Sequence, residues 1–304
     1  MKRIHIILIT AVLMLAACPA FGQESAKYDK RDFKLSWNVD RLKVYQQEPA
    51  VLTLYLWTPE MEVTGATESK APELSRGSFA TKQKADIAER ASVVEKDGRR
   101  WYVYPVDSYA VTMADAGKHI LRNGRYMVDV SVPTIYDDPF WGRVQTVRGE
   151  RIEVPVDPLT IEVQPLPDIK GGDMFSGSVG AFSVDVSVPP GDIYLNEDAI
   201  AIITVRGPGY MGENVLPEYN EAFTEGTRLK SFSENRNQYI DKGRLVSEVK
   251  LECTFIPTSR ENAVIGPVRF MFFNPETGKY QKVESEKVKV KVKSIAGKSK
   301  VHEI

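Results

Sequence analysis

Ile161-Glu-Val-Gln-Pro-Leu-Pro-Asp-Ile-Lys-Gly-Gly-Asp-Met-Phe-Ser-Gly-Ser-Val-Gly-Ala-Phe182 divides the chain. It opens as the end of a β-strand. Pro165 and Pro167 then remove backbone donors and fix φ, so the strand cannot continue. Glycines follow at positions 171, 172, 177 and 180, and a new apolar–polar alternation starts at Phe182. Such a segment joins two compact units. The reading predicts a first β-sandwich over 28–166 and a second over 174–294.

Working outward, both halves carry the same pattern. In the first, Phe33-Lys-Leu-Ser-Trp-Asn-Val39 alternates as a half-buried strand does. Val51 to Trp57 is apolar on both faces and belongs in mid-sheet. Arg99 to Tyr104, extending past Pro105, His119 to Leu121, Tyr126 to Val132, Ile152 to Val156 and Leu159 to Val163 follow as strands. Residues 59–95 are the least strand-like, and Ala80 to Val94 has the composition of a short surface helix or a long loop. In the second half, Phe182 to Val188 alternates strictly and Ala199 to Val205 reads as buried. Arg206-Gly-Pro-Gly-Tyr-Met-Gly212 reads as a loop. Arg228 to Phe232, Leu245 to Ile256, Val268 to Phe273 and Lys287 to Lys293 read as strands, with a hairpin turn at Asn274 to Gly278. Each unit opens on an alternating strand, crosses a buried one and closes on a V-x-V strand. Roughly seven strands per unit is the arithmetic of an immunoglobulin-like sandwich. The fold class is therefore all-β, two tandem immunoglobulin-like β-sandwich domains after a signal peptide.

The N-terminus supplies that signal. Lys2 and Arg3 precede an apolar run from Ile6 to Ala17, too short for a comfortable membrane span. Its end reads two ways. Leu15-Ala16-Ala17-Cys18 fits a lipobox, which would lipidate Cys18. Ala20-Phe21-Gly22 fits ordinary cleavage after residue 22, the reading favoured because Pro19 sits awkwardly behind a lipidated cysteine. Either way the protein leaves the cytoplasm, and no later segment approaches the ~20 apolar residues of a transmembrane helix. Residues 295–304 read as a flexible tail.

The chain has 304 residues with 40 Lys+Arg against 41 Asp+Glu, so no basic excess points to nucleic acid. Signals for chemistry are weak. After cleavage at residue 22 only Cys253 remains, in an alternating strand, and it reads as a small buried hydrophobe. His119 has no spaced partner for a metal site or a triad. Gly207-Pro-Gly209 lacks the helix that a phosphate cradle needs. Asp137-Asp138 lacks the interleaved oxygen donors of a calcium loop. Lysine at every second position from Lys287 to Lys293 makes a solvated face that discourages edge pairing, or one that is attracted to an anionic membrane surface. No catalytic, cofactor or metal residue is assigned, and the chain reads as a non-enzyme.

Contact residues are a better prospect. Tyr136-Asp-Asp-Pro-Phe-Trp-Gly142 places Phe140 and Trp141 in a turn-rich segment, and Tyr210 and Met211 lie in the Gly/Pro-rich segment of the second unit. Large apolar side chains on loops are typical partner anchors. The competing reading has Phe140 and Trp141 folding back to cap the first sandwich.

The order of several short segments resembles the aerotolerance protein BatD, or oxygen-tolerance, family over roughly Val39 to Val292. The joint Val163-Gln-Pro-Leu-Pro167 with Phe175-Ser-Gly-Ser-Val-Gly-Ala-Phe182 looks like that family's joint. Val188 to Asp198 resembles its entry to the buried strand. Val205-Arg-Gly-Pro-Gly209 stands where the family has a glycine-rich loop, with Tyr210 in place of its Asn. Phe255-Ile-Pro257, Phe272-Phe-Asn-Pro275 and Asp138-Pro-Phe-Trp141 resemble three further segments. The family usually carries another β-domain in front and a membrane helix behind. Neither is seen here, which implies a short form, soluble or lipid-anchored. The resemblance implies a periplasmic, non-enzymatic protein that works by protein–protein contact with von Willebrand A-domain proteins and a MoxR-type AAA+ ATPase. The alternative is an envelope carbohydrate-binding module or accessory domain, with Trp141 as a sugar platform.

Overall fold

The computed structural model describes residues 32–59, 62–84, 91–169, 175 and 177–294. The signal peptide with Cys18, the 295–304 tail and part of the glycine-rich joint lie outside the described residues. The protein is all-β. In the first unit the strands are β1 (Lys34–Val39), β2 (Lys43–Tyr45), β3 (Ala50–Thr58), β4 (Glu62–Lys70), β5 (Glu73–Leu74), β6 (Gly77–Lys84), β7 (Ser92–Lys96), β8 (Arg99–Met113), β9 (Gly117–Arg122), β10 (Arg125–Asp138), β11 (Gly142–Pro155) and β12 (Leu159–Gln164). The second unit contributes β13 (Val179–Gly180), β14 (Ser183–Ser187), β15 (Ile193–Tyr194), β16 (Ala199–Tyr210), β17 (Thr227–Asp241), β18 (Arg244–Pro257), β19 (Val264–Ile265), β20 (Arg269–Asn274), β21 (Lys279–Glu284), β22 (Val288–Lys289) and β23 (Val292–Lys293). Asn220–Phe223 forms a single 3-10 turn.

Both units are sandwiches. In the first, β1-β3-β8-β6, with β7 also on β8, forms one face. It packs on two smaller sheets, β11-β10-β4 and β2-β12-β9-β5. Leu54, Leu56 and Val106 of the large sheet meet Tyr126, Val128, Val130 and Val154 of the one. Leu52, Val111 and Met113 meet Leu121, Ile161 and Val163 of the other. In the second unit Ala201, Ile203, Leu251, Cys253 and Phe255 face Phe270 and Phe272 across a single core. The opening strands repeat one scheme. β1 pairs antiparallel with buried β3, then β2 pairs parallel with closing β12. Likewise β14 pairs antiparallel with β16, and β15 pairs parallel with closing β23. That split of the first strand between two sheets gives each unit its immunoglobulin-like outline.

No described strand pairs across the joint. The units meet through side chains: Val51 and Ala110 with Leu245, flanked by Ala80, Tyr210 and Ile240. Tyr45 packs edge-on to Phe273 at 4.9 Å, and the Tyr280 hydroxyl donates to the Pro167 carbonyl at 2.9 Å.

Several sequence expectations need correction. The segment read as a helix or loop over 80–94 contains the end of β6 and the start of β7 in its described part. Its residues are polar because β6 and β7 are solvated on both sides, so pairing with β8 rather than apolar alternation makes them strands. Arg206 to Tyr210 is not a loop but the end of β16. There β13 and the Ala181 backbone cross so closely that a Cβ on Gly207 would lie 2.0 Å from the Ala181 carbonyl, so glycine is a packing requirement. Lys287 to Lys293 is broken into β22 and β23, which join different partners; Val290 between them is buried.

Candidate functional site

The contact segment read as a loop at 136–142 is the end of a long hairpin. β10 and β11 pair without a register break from Arg125 opposite Pro155 to Asp138 opposite Gly142. Only Pro139, Phe140 and Trp141 form the turn. Asp138 organises it, its Oδ1 accepting from the backbone N–H of Phe140 at 2.8 Å and of Trp141 at 3.0 Å. Carboxylates cap turns in this way because the short side chain reaches amides two and three residues on. The segment escaped strand periodicity for a physical reason. β4 accompanies β10 only as far as Ser131, opposite Glu62. Val132 still reaches the core, and beyond it, among the described residues, the hairpin is a two-stranded arm with no opposing sheet, so no face has to be apolar.

The arm is nevertheless apolar. Ile135 is 46% exposed, Tyr136 49% and Val147 64%. At the tip Phe140 is 91% exposed and Trp141 84%. Those two side chains therefore do not fold back onto the first sandwich. Ile135 lies on the same face as Val147, and Tyr136 stands directly opposite Val144 on the other. Asp137 faces Arg143 across the hairpin, so the distal arm is close to neutral.

Of the remaining candidates, Met211 is a correction. It is 2% exposed and part of the second unit's core. Its neighbourhood is held by Arg236, whose guanidinium donates to the Gly212 carbonyl at 2.8 Å and the Val215 carbonyl at 2.5 Å, and by Gln238, which donates to the Met211 carbonyl at 3.1 Å. Tyr210 is partly buried and packs in the cluster between the units, beside a cleft also lined by Phe79 and Glu248. Burial pushes its hydroxyl above the ordinary tyrosine range. The Gly/Pro-rich composition there serves strand crossing and domain contact, not a free loop.

Two polar features carry no sequence signal. Glu68 on β4, Lys82 on β6, Asp107 and Tyr109 on β8, and Tyr126 on β10 meet inside the first sandwich. Tyr109 donates to Glu68 at 2.6 Å, its hydroxyl lies 2.6 Å from that of Tyr126, and Tyr126 donates to Asp107. Lys82 Nζ is 2.7 Å from Glu68 and 3.2 Å from Asp107. Burial raises the hydroxyl pKa of both tyrosines. For Glu68, burial alone would raise the carboxyl, but bonds from Lys82, Tyr109 and Tyr126 outweigh it and hold it below the ordinary range. Asp107 and Tyr109 are 3% exposed and Tyr126 0%, so the array ties two sheets together rather than facing solvent. The second feature is His119, 2% exposed, with ring nitrogens 2.7 Å from the Ser75 carbonyl and 2.8 Å from that of Asp115. It fastens the turn before β9 to β5. Cys253 is fully buried, and burial pushes its thiol up to about 11, which suppresses the reactive thiolate.

No helix among the described residues is long and apolar enough to cross a membrane. No protein-family model matches the chain, and no curated protein matches it. Among solved structures, it is similar to the full-length major pilin SpaD from Corynebacterium diphtheriae at 12% identity. That alignment covers 87% of this chain and 68% of that one, with a TM-score of 0.22, below the level of a shared fold.

Proposed function

We propose that this is an exported contact protein of the cell envelope, with the β10–β11 arm as its recognition element. The observation that carries the reading is the exposed Phe140–Trp141 pair at the tip of an arm with no core of its own. Aromatic side chains held on a short, capped turn fill a partner's pocket at low entropic cost. The resemblance to the aerotolerance family supplies the class of partner: a von Willebrand A-domain protein working beside a MoxR-type AAA+ ATPase. The ordered segments from the joint to Phe272-Phe-Asn-Pro275 support that assignment. The signal-like N-terminus supports a periplasmic site of action. No catalytic step is assigned to the protein.

The test is capture of a purified A-domain protein encoded in the same genome. Wild-type protein should retain it, and Trp141→Ala should weaken capture at least about tenfold, the loss typical of a pocket-filling anchor. Equal capture by both proteins would remove the arm from the interface. Binding of envelope glycans through Trp141, with no A-domain capture, would replace this reading with the carbohydrate-binding one.

A further inference from the structure

The arm has a second recognition feature besides its tip, a free strand edge. β4 leaves β10 at Ser131, and among the described residues nothing pairs with Val132 to Asp138 on that side. Successive residues of a strand turn their N–H and C=O to opposite sides, so every second residue of this run presents unpaired backbone groups at the edge. An open edge of this kind is a template for another strand. Natural proteins blunt such edges with charge, and the other long edges here are blunted. β11 carries Arg143, Arg148, Glu150, Arg151 and Glu153, and β17 carries Arg228, Lys230, Glu234, Arg236 and Asp241. The β10 edge has no charge from Val132 through Tyr136.

We propose that this edge pairs with the same edge of a second copy of the chain, joining two arms into a four-stranded antiparallel ribbon about a twofold axis at Ile135. The proposal rests on the arm being a contact element, and concerns its edge rather than its tip. Three features favour a second copy over another occupant. The free segment is self-complementary in length. With Ile135 opposite Ile135 of the other copy, Thr134 meets Tyr136, Pro133 meets Asp137 and Val132 meets Asp138, so the pairing runs between the described end of β4 and the turn. No like charges collide, because both aspartates lie opposite uncharged residues. The turn at 139–141 then leads each chain away toward its own β11. Pairing also places the 46%-exposed Ile135 side chains against each other, beside Val147 on the same face. A bilayer would leave the edge backbone groups unsatisfied and would meet Asp137 and Asp138 directly behind the aromatic tip.

Seven residues from each copy make a small interface, so association should be weak, with a dissociation constant of roughly micromolar order. Sedimentation of the purified protein from about 1 to about 300 μM should therefore show a monomer passing to a dimer. Ile135→Lys, at an exposed position, should raise the dissociation constant at least about tenfold, as lysine does on edge strands. Trp141→Ala should leave dimerisation unchanged. Hydrogen exchange of the unmutated protein provides a readout independent of any folding defect: the amides within Val132–Asp138 that face the free edge should slow as concentration rises, with those facing β11 and those of β11 itself unaffected. A monomer throughout the range, or a dimer with no protection at 132–138, overturns the proposal. If the monomer still captures the A-domain protein through Trp141, only the edge pairing falls. If the dimer forms as described and capture fails, only the partner assignment falls.

Discussion

Trp141 and Met211 are both large side chains in segments rich in turn-forming residues, and they have opposite fates. Trp141 stands 84% exposed on a turn organised by Asp138, whereas Met211 is 2% exposed beneath the Arg236 and Gln238 bonds. Local composition is the same in kind at both places; what differs is whether another sheet lies opposite. The consequence is measurable by thermal melting of two variants. Trp141→Ala should change stability by no more than about 0.5 kcal/mol, as surface substitutions do. Met211→Ala should cost about 2–5 kcal/mol through lost burial and a residual cavity. A large loss of melting temperature in the tryptophan variant would mean that the tip packs against the body of the protein and cannot serve as an anchor.

At the scale of elements, the cross-sheet array of Glu68, Lys82, Asp107, Tyr109 and Tyr126 ties two of the three sheets of the first unit together. Replacing Lys82 with Met leaves two carboxylates without their cation. The expected cost at pH 7 is roughly 1 kcal/mol, discounted because Lys82 is partly exposed. The sign of its pH dependence follows from Glu68. Its carboxyl lies below its ordinary value of 4.5 in the folded protein. That stabilisation is complete above the unfolded pKa and is lost as pH falls through the folded one. Melting curves from pH 7 downward should show the gap between wild type and Lys82→Met narrowing below about pH 4.5. A gap independent of pH would mean that the ion pairs contribute nothing and that Lys82 acts through packing alone.

For the molecule as a whole, no described strand of one unit pairs with the other, yet the two share the Val51–Ala110–Leu245 cluster. Residues 178–294 should unfold cooperatively on their own, since every described strand of that unit finds its partners within the unit. Leu245→Ala then separates docking from folding. In the full chain it should cost about 2 kcal/mol or more, because Leu245 is buried against the first unit. In the isolated second unit the cost should nearly vanish, the leucine having lost its cover there. Equal costs in the two would assign Leu245 to its own unit's core.

The sequence by itself determined the all-β class, the strand end before Pro165-Leu-Pro167 and the buried strands Val51 to Trp57 and Ala199 to Val205. Each of these is a local property: proline ends a strand whatever surrounds it, and a strand buried on one or both faces must show its burial in its own residues. It also singled out Phe140 and Trp141 as candidates. Only the tertiary structure decided that these two are exposed while Met211 is buried, that β6 and β7 are strands despite their polarity, and that five polar residues far apart in the chain meet between sheets. Those facts depend on which strands pair and what lies across the core. A polar strand reads like a loop until its partner is known, and an aromatic residue reads alike whether it faces water or another sheet.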